Sequence, residues 1–117
     1  MKVIVTQKAK RNLLELFDYN TQISLDYAIR IDKKIRSYIE ELQDTPYIGR
    51  YVPEILDKHY RERICEKYRI IYFISEKDNI IFIRYIFNTK QDKRRFFEVH
   101  KSKIFNLFNQ LFIWILF

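Results

Sequence analysis

The side chains in this chain that could do chemistry are mostly cations. Arg61, Arg63 and Arg69 lie close together, Lys90 follows, and Lys93, Arg94 and Arg95 form a short basic run. Residues 59–103 hold 12 Lys/Arg against 6 Asp/Glu, a net of +6, whereas residues 1–58 hold 10 against 9, a net of +1. The total of +7 is therefore concentrated in the second half. Such a surface favours a polyanion, either nucleic acid or an acidic protein segment. A solvated charged face is the plain alternative.

Other chemistries are poorly supplied. One cysteine, Cys65, excludes an internal disulfide and reads as a small buried hydrophobe, and His59 and His100 leave too few ligands for a structural zinc site. With Gly49 the only glycine, there is no phosphate-cradling loop. No cofactor or metal is expected. The start, Met1–Thr6, is too short for the apolar core of a secretory signal before Lys8, Lys10 and Arg11 follow, so a reduced, cytoplasmic setting is expected.

The elements that must position these residues can be read from periodicity. At 117 residues, 48% of them apolar and 32% charged, the chain suits a single globular domain. Val3–Val5 is a β-branched run that reads as a strand. Thr6 can cap a helix over residues 8–19, and Ser24 a second, longer helix to about Leu42. Ile31, Ile35, Tyr38, Ile39 and Leu42 recur at helical spacing, which predicts one buried stripe. Thr45-Pro46 ends that helix, and residues 47–58 read as an irregular loop. Three strands follow, over 60–65, 68–75 and 80–87, the last two joined by a turn carrying Asp78 and Asn79.

The expected fold is α+β in the order β-α-α-β-β-β, with an antiparallel helical hairpin packed on a small antiparallel sheet. Ile71 and Phe73 should be buried along with the helix stripe. Alternation puts Glu62 opposite Arg61 and Arg63 in the first of the three strands. Residues 101–117 read as an extension to a domain of residues 1–100. From Ile104 to Phe117, 11 of 14 residues are apolar and none is charged. That stretch is too short to span a bilayer, which takes about 20 residues, so no stable membrane insertion is expected. It should pack on the sheet or on another copy.

Three segments, in this order, resemble the RelE/ParE toxin family of type II toxin–antitoxin systems, nearer its ParE-like side. They are Pro46 with Gly49-Arg50-x-Val52-Pro53-Glu54; Tyr60-Arg61-Glu62 followed by Tyr68-Arg69-Ile70-Ile71-Tyr72; and residues 80–87 leading into Asn88-Thr89-Lys90. The resemblance covers about residues 3–97. It implies a cognate acidic antitoxin that wraps the toxin, in a complex that could hold a toxin homodimer. It implies one of two targets. RelE-like members cleave messenger RNA on the ribosome; ParE-like members inhibit DNA gyrase.

For the nuclease, the resemblance carries the catalytic positions onto Arg61, Arg69 and Lys90, with Arg63 beside them. The same residues and Arg94 are the candidates for partner binding; Arg69 has the alternative of pairing with a core or loop carboxylate such as Glu54. RNA cleavage through the 2′-hydroxyl needs a base, cations for the phosphorane and an acid for the leaving oxygen. Arginine clamps phosphate well but is a poor base, because its pKa exceeds about 12. Lys90 is the only non-arginine cation among these positions. Phe96 stands near the position where relatives carry a proton-bearing tyrosine, and it cannot exchange a proton. The favoured reading is therefore a ParE-like gyrase inhibitor held by an antitoxin. A ribosome-dependent endoribonuclease is the alternative, and a decayed homologue retaining only antitoxin binding is a third.

Overall fold

The computed structural model describes residues 1–90. Its elements are β1 (Lys2–Val5), α1 (Gln7–Thr21), α2 (Leu25–Glu41), β2 (Arg50–Tyr51), β3 (Tyr60–Cys65), β4 (Tyr68–Ser75) and β5 (Ile80–Asn88). Both expected caps are in place. The Thr6 hydroxyl accepts from Ala9 N at 3.2 Å and the Ser24 hydroxyl from Tyr27 N at 3.0 Å, each satisfying a helix N–H that has no partner within the helix. Beyond the six expected elements there is one more, the two-residue strand β2 inside the loop read as irregular. No period-2 pattern can announce so short a strand.

The strands form one sheet in the order β1-β5-β4-β3-β2. β3, β4 and β5 make the expected antiparallel meander, and β2 adds antiparallel to β3. β1 pairs parallel with β5, Lys2 opposite Ile80 and Val5 opposite Ile83. The sheet is thus mixed at one edge. Both hairpin turns place a residue in the left-handed region, Glu66 at φ 56° and Asn79 at φ 56°. Asn79 is a common choice there. Glu66 is not, but its carboxylate is tied to α2 by Lys34 at 2.7 Å and Arg30 at 3.6 Å.

One face of the sheet receives the helical hairpin. Ile31, Ile35, Ile39 and Leu42 of the predicted stripe are buried, against Tyr68, Ile70, Tyr72 and Ile74 of β4 and Ile81, Ile83 and Ile86 of β5, while its fifth member, Tyr38, is only partly so. The step from odd to even numbers along β5 has a definite cause. Ile83 pairs with Tyr72 and Tyr85 with Ile71, so Arg84 is an extra residue, a β-bulge. A bulge inverts the facing of everything after it. Ile86 therefore enters the helix-side core, while Tyr85 and Phe87 join the opposite face. Cys65 is fully buried under the helices, as expected, and burial raises its thiol pKa.

The opposite face carries a smaller apolar cluster of Val52, Tyr60, Ile71 and Phe87, with Ile55, Phe73 and Tyr85 packed around it. Ile71 is fully buried there; Phe73 is only partly so. The lid over this cluster is the segment between α2 and β3. Among the described residues, no helix is long and apolar enough to cross a membrane.

Candidate functional site

Part of each family-like motif lies on this second face: Val52 of the first, Tyr60 and Ile71 of the second and Phe87 of the third. Alternation along β3 sends Tyr60 and Glu62 to the lid side and Arg61, Arg63 and Cys65 to the helix side, as the strand pattern requires. Arg69 of β4 lies on the same face as Glu62, cross-strand from Ile64. Its side chain is 2% exposed and meets two carboxylates. Arg69 Nε donates to Glu62 Oε2 at 2.6 Å, while Nη1 and Nη2 donate to the two oxygens of Glu54 at 2.7 and 3.0 Å. Arg50 Nε donates to the other Glu62 oxygen at 2.7 Å. The result is a linear array, Arg50–Glu62–Arg69–Glu54, that starts in solvent and runs under the lid.

Two cations and two anions balance, which is the condition for burying a guanidinium at all. Burial alone would pull the Arg69 pKa down. The hydrogen bonds and charges of Glu54 and Glu62 outweigh it, and the net shift is upward. Phe87 lies 5.3 Å from the guanidinium carbon and completes the enclosure.

A second set of contacts holds the start of the lid. The Tyr72 hydroxyl accepts from Gly49 N at 2.9 Å and donates to Pro46 O at 3.0 Å. Burial pushes that phenol up, so it remains a hydroxyl able to do both. Gly49 has no alternative here. A Cβ would sit 2.4 Å from the Tyr72 oxygen and 2.5 Å from the Glu62 carbonyl oxygen, well inside contact distance. Arg61 adds hydrogen bonds to Gly49 O at 2.8 Å and Tyr47 O at 3.2 Å, and lies 4.5 Å from the Tyr51 ring centroid.

Arg63 serves the helices instead. It donates to Tyr38 O and to a Glu41 oxygen, each at 2.9 Å, and lies 4.2 Å from the Tyr38 ring centroid. The last turn of α2 has no basic residue of its own. Arg63 supplies the positive charge that a helix C-terminus favours.

The four marked residues that are described, Arg61, Arg63, Arg69 and Lys90, are therefore not brought together. Arg69 is under the lid, Arg61 and Arg63 are on the other face of the sheet, and Lys90 is exposed just past the end of β5. Arg94, with Phe96 and His100, lies outside the described residues, as does the 101–117 extension. Glu54 was foreseen as one partner for Arg69. The double use of Glu62, bridging Arg69 and Arg50, was not. Among the described residues no group of His, Cys, Asp and Glu is arranged to hold a metal ion.

A two-helix hairpin on a five-stranded mixed sheet, with a buried ion array on the face away from the helices, defines a small α+β protein. Residues 3–93 match the family described as the ParE toxin of type II toxin–antitoxin system, parDE. The chain belongs to that family. Two solved structures share the fold. One is from the chromosomal ParDE toxin–antitoxin system of P. aeruginosa, at 21% identity and a TM-score of 0.62, covering 75% of this chain and 95% of that one. The other is from the RelBE2 toxin–antitoxin complex of Mycobacterium tuberculosis, at 19% identity and a TM-score of 0.58, covering 74% and 95%. No curated protein sequence matches the chain.

Proposed function

We propose that this protein is the toxin of a type II toxin–antitoxin pair, working in the cytoplasm by inhibiting DNA gyrase and silenced by an acidic antitoxin. Family membership supports the toxin role. The observation that favours an inhibitor over a nuclease is the commitment of Arg69. A phosphate clamp must present its guanidinium to the scissile group. Here that guanidinium is enclosed and already bonded to two carboxylates. Arg61 and Arg63, the arginines nearest to it in sequence, point to the other face and bond backbone carbonyls. Lys90 is exposed just past the end of β5.

Purified protein should block gyrase supercoiling, with no messenger cleavage when ribosomes and message are supplied. Ribosome-dependent cleavage lost in Lys90→Ala would replace this reading with the nuclease. Binding to the antitoxin with neither activity would mark a decayed homologue. The excess of cations in residues 59–103 should make antitoxin binding weaken as salt rises. Salt-independent affinity, measured by calorimetry at two ionic strengths, would point to apolar docking instead.

A further inference from the structure

The sheet face that the lid covers continues past it toward β1. Phe82 of β5 faces away from the buried Ile81 and Ile83, with Phe73 of β4 and Ile4 of β1 beside it, and all three are only partly buried. The bulge adds Arg84 to this surface. Its guanidinium carbon lies 5.6 Å from the centre of the Phe73 ring and 5.7 Å from that of Phe82. Bulges commonly re-aim a side chain in this way beside a binding site.

Arg84 differs from the other strand arginines. Arg50, Arg61, Arg63 and Arg69 are all bonded to carboxylates or carbonyls. Among the described residues Arg84 has no hydrogen bond or ion pair, and its Nε is buried without a partner. Arg61 Nε shares that state, but the rest of its guanidinium is already spent on Gly49 and Tyr47. A half-buried cation left unpaired is costly to the fold and draws an anion. Its charge reaches two neighbouring phenols: burial raises Tyr60 and Tyr85, and Arg84 opposes that rise at both. His59 stands at the same Phe73 ring, 5.5 Å between centres. Its Nδ1 lies 2.8 Å from Asp57 Oδ1, and its backbone N donates to the same oxygen at 2.9 Å. A carboxylate only accepts, so Nδ1 carries the proton and Nε2 is kept for another partner. A guanidinium fork fits phosphate oxygens, a fixed imidazole adds a second contact, and half-open rings give a base something to stack on.

We propose that Arg84, His59, Phe73 and Phe82 form a binding site for a nucleoside monophosphate, the phosphate on Arg84 and His59 and the base against the phenylalanines. None of the four stands at a position that the resemblance made catalytic, so the site binds without cleaving and is independent of the target proposed above. The unit has the same chemistry free in solution and at the 5′ end of a strand. Adenosine monophosphate titrated calorimetrically into the full chain should bind about tenfold or more tighter than inorganic phosphate, the scale of stacking one base. Arg84→Met should lower that affinity about tenfold or more, the scale of losing a charge-assisted hydrogen bond, with thermal unfolding showing the fold retained. His59→Ala, on the exposed rim, should lower it less, and Phe82→Leu should leave the nucleotide no tighter than inorganic phosphate. A short single strand with and without a 5′ phosphate separates the two sources. Binding tighter than the free nucleotide and dependent on that phosphate assigns the site to a strand end; affinity equal to the free nucleotide, again dependent on the phosphate, assigns it to the nucleotide itself. Equal binding of the strand without its 5′ phosphate would overturn the proposal. So would a nucleotide bound no tighter than inorganic phosphate, or one whose affinity is unchanged in both Arg84→Met and His59→Ala. Tighter, Arg84-dependent binding of a glutamate-rich peptide would overturn it too, by giving the patch to an acidic protein segment.

Discussion

The two faces of the sheet are held by different physics. Under the helical hairpin, β4 and β5 meet Ile31, Ile35, Ile39 and Leu42 in a dry core. Under the lid, the same two strands meet a small apolar cluster bordered by the array Arg50–Glu62–Arg69–Glu54. A dry core tolerates change in proportion to the volume removed. A buried ion array is all or nothing, because removing one member strands another without water. The family-like motifs divide between the two faces, with Tyr68, Ile70 and Tyr72 under the helices and Val52, Tyr60, Ile71 and Phe87 under the lid. The polar members among them, Arg50, Glu54, Glu62, Arg69 and the Tyr72 hydroxyl, fasten the lid.

The largest effect should come from breaking the array at its centre. Glu62→Ala leaves Arg69 buried beside Glu54 alone and should cost about 3–5 kcal/mol in denaturant unfolding. Replacing both partners, Glu62→Leu with Arg69→Met, should recover most of that loss, as apolar isosteres do for buried ion pairs. A single-mutant loss under about 1 kcal/mol would mean that the array is not truly desolvated. On the other face, Ile35→Ala should cost about 2–4 kcal/mol through the cavity it leaves. That loss should be the same at low and high salt, and a strong salt dependence would erase the contrast between the faces.

Gly49→Ala comes next, at about 1–3 kcal/mol for forced overpacking. Either the Tyr72 hydroxyl or the β3 backbone must move. The lid should become a site of rapid proteolysis while the helices stay protected; an intact lid would show that the clash is absorbed elsewhere. The smallest effect concerns Glu66. The Lys34 hydrogen bond, then the charges of Lys34 and Arg30, hold its carboxyl below the ordinary glutamate range. A depressed folded-state value means that the contribution is present above the ordinary value and is lost as pH falls through the folded one. The stability curves of wild type and Glu66→Gln should thus differ near neutrality and converge in acid. The gap should be small, since both partners are solvated. A gap of constant size across pH would remove the ion pair from the account.

Much of this was legible beforehand because it follows from period and caps. The two helices, the meander, the stripe on α2 and the opposite facing of Glu62 against Arg61 and Arg63 all come from spacings of 3.6 and 2. The partners were harder. Arg69 could be matched with Glu54 as a loop carboxylate, but the bridging by Glu62 depends on the register of β3 against β4. Hydropathy does not encode that register. The bulge at Arg84 was hidden for a similar reason: in a nearly continuous apolar run, an inverted facing leaves no trace. Likewise, the parallel seat of β1 is a long-range pairing, and nothing within residues 2–5 distinguishes it from an antiparallel one.

That parallel seat has a consequence in time. Thr6 caps α1 and also bonds the carbonyl of Ile83 through its hydroxyl at 2.7 Å, across 77 positions of chain. β1 therefore leaves the ribosome well before β5 and must wait for the meander to be made before it finds its neighbour. Contacts so distant in sequence form slowly, because the loop they close must first give up its freedom. The helical hairpin, whose contacts are local, can assemble in that interval, and the meander can follow it. Closure of β1 on β5 is then a late zip of the sheet, and a newborn chain stays unfinished along that edge until β5 has been made.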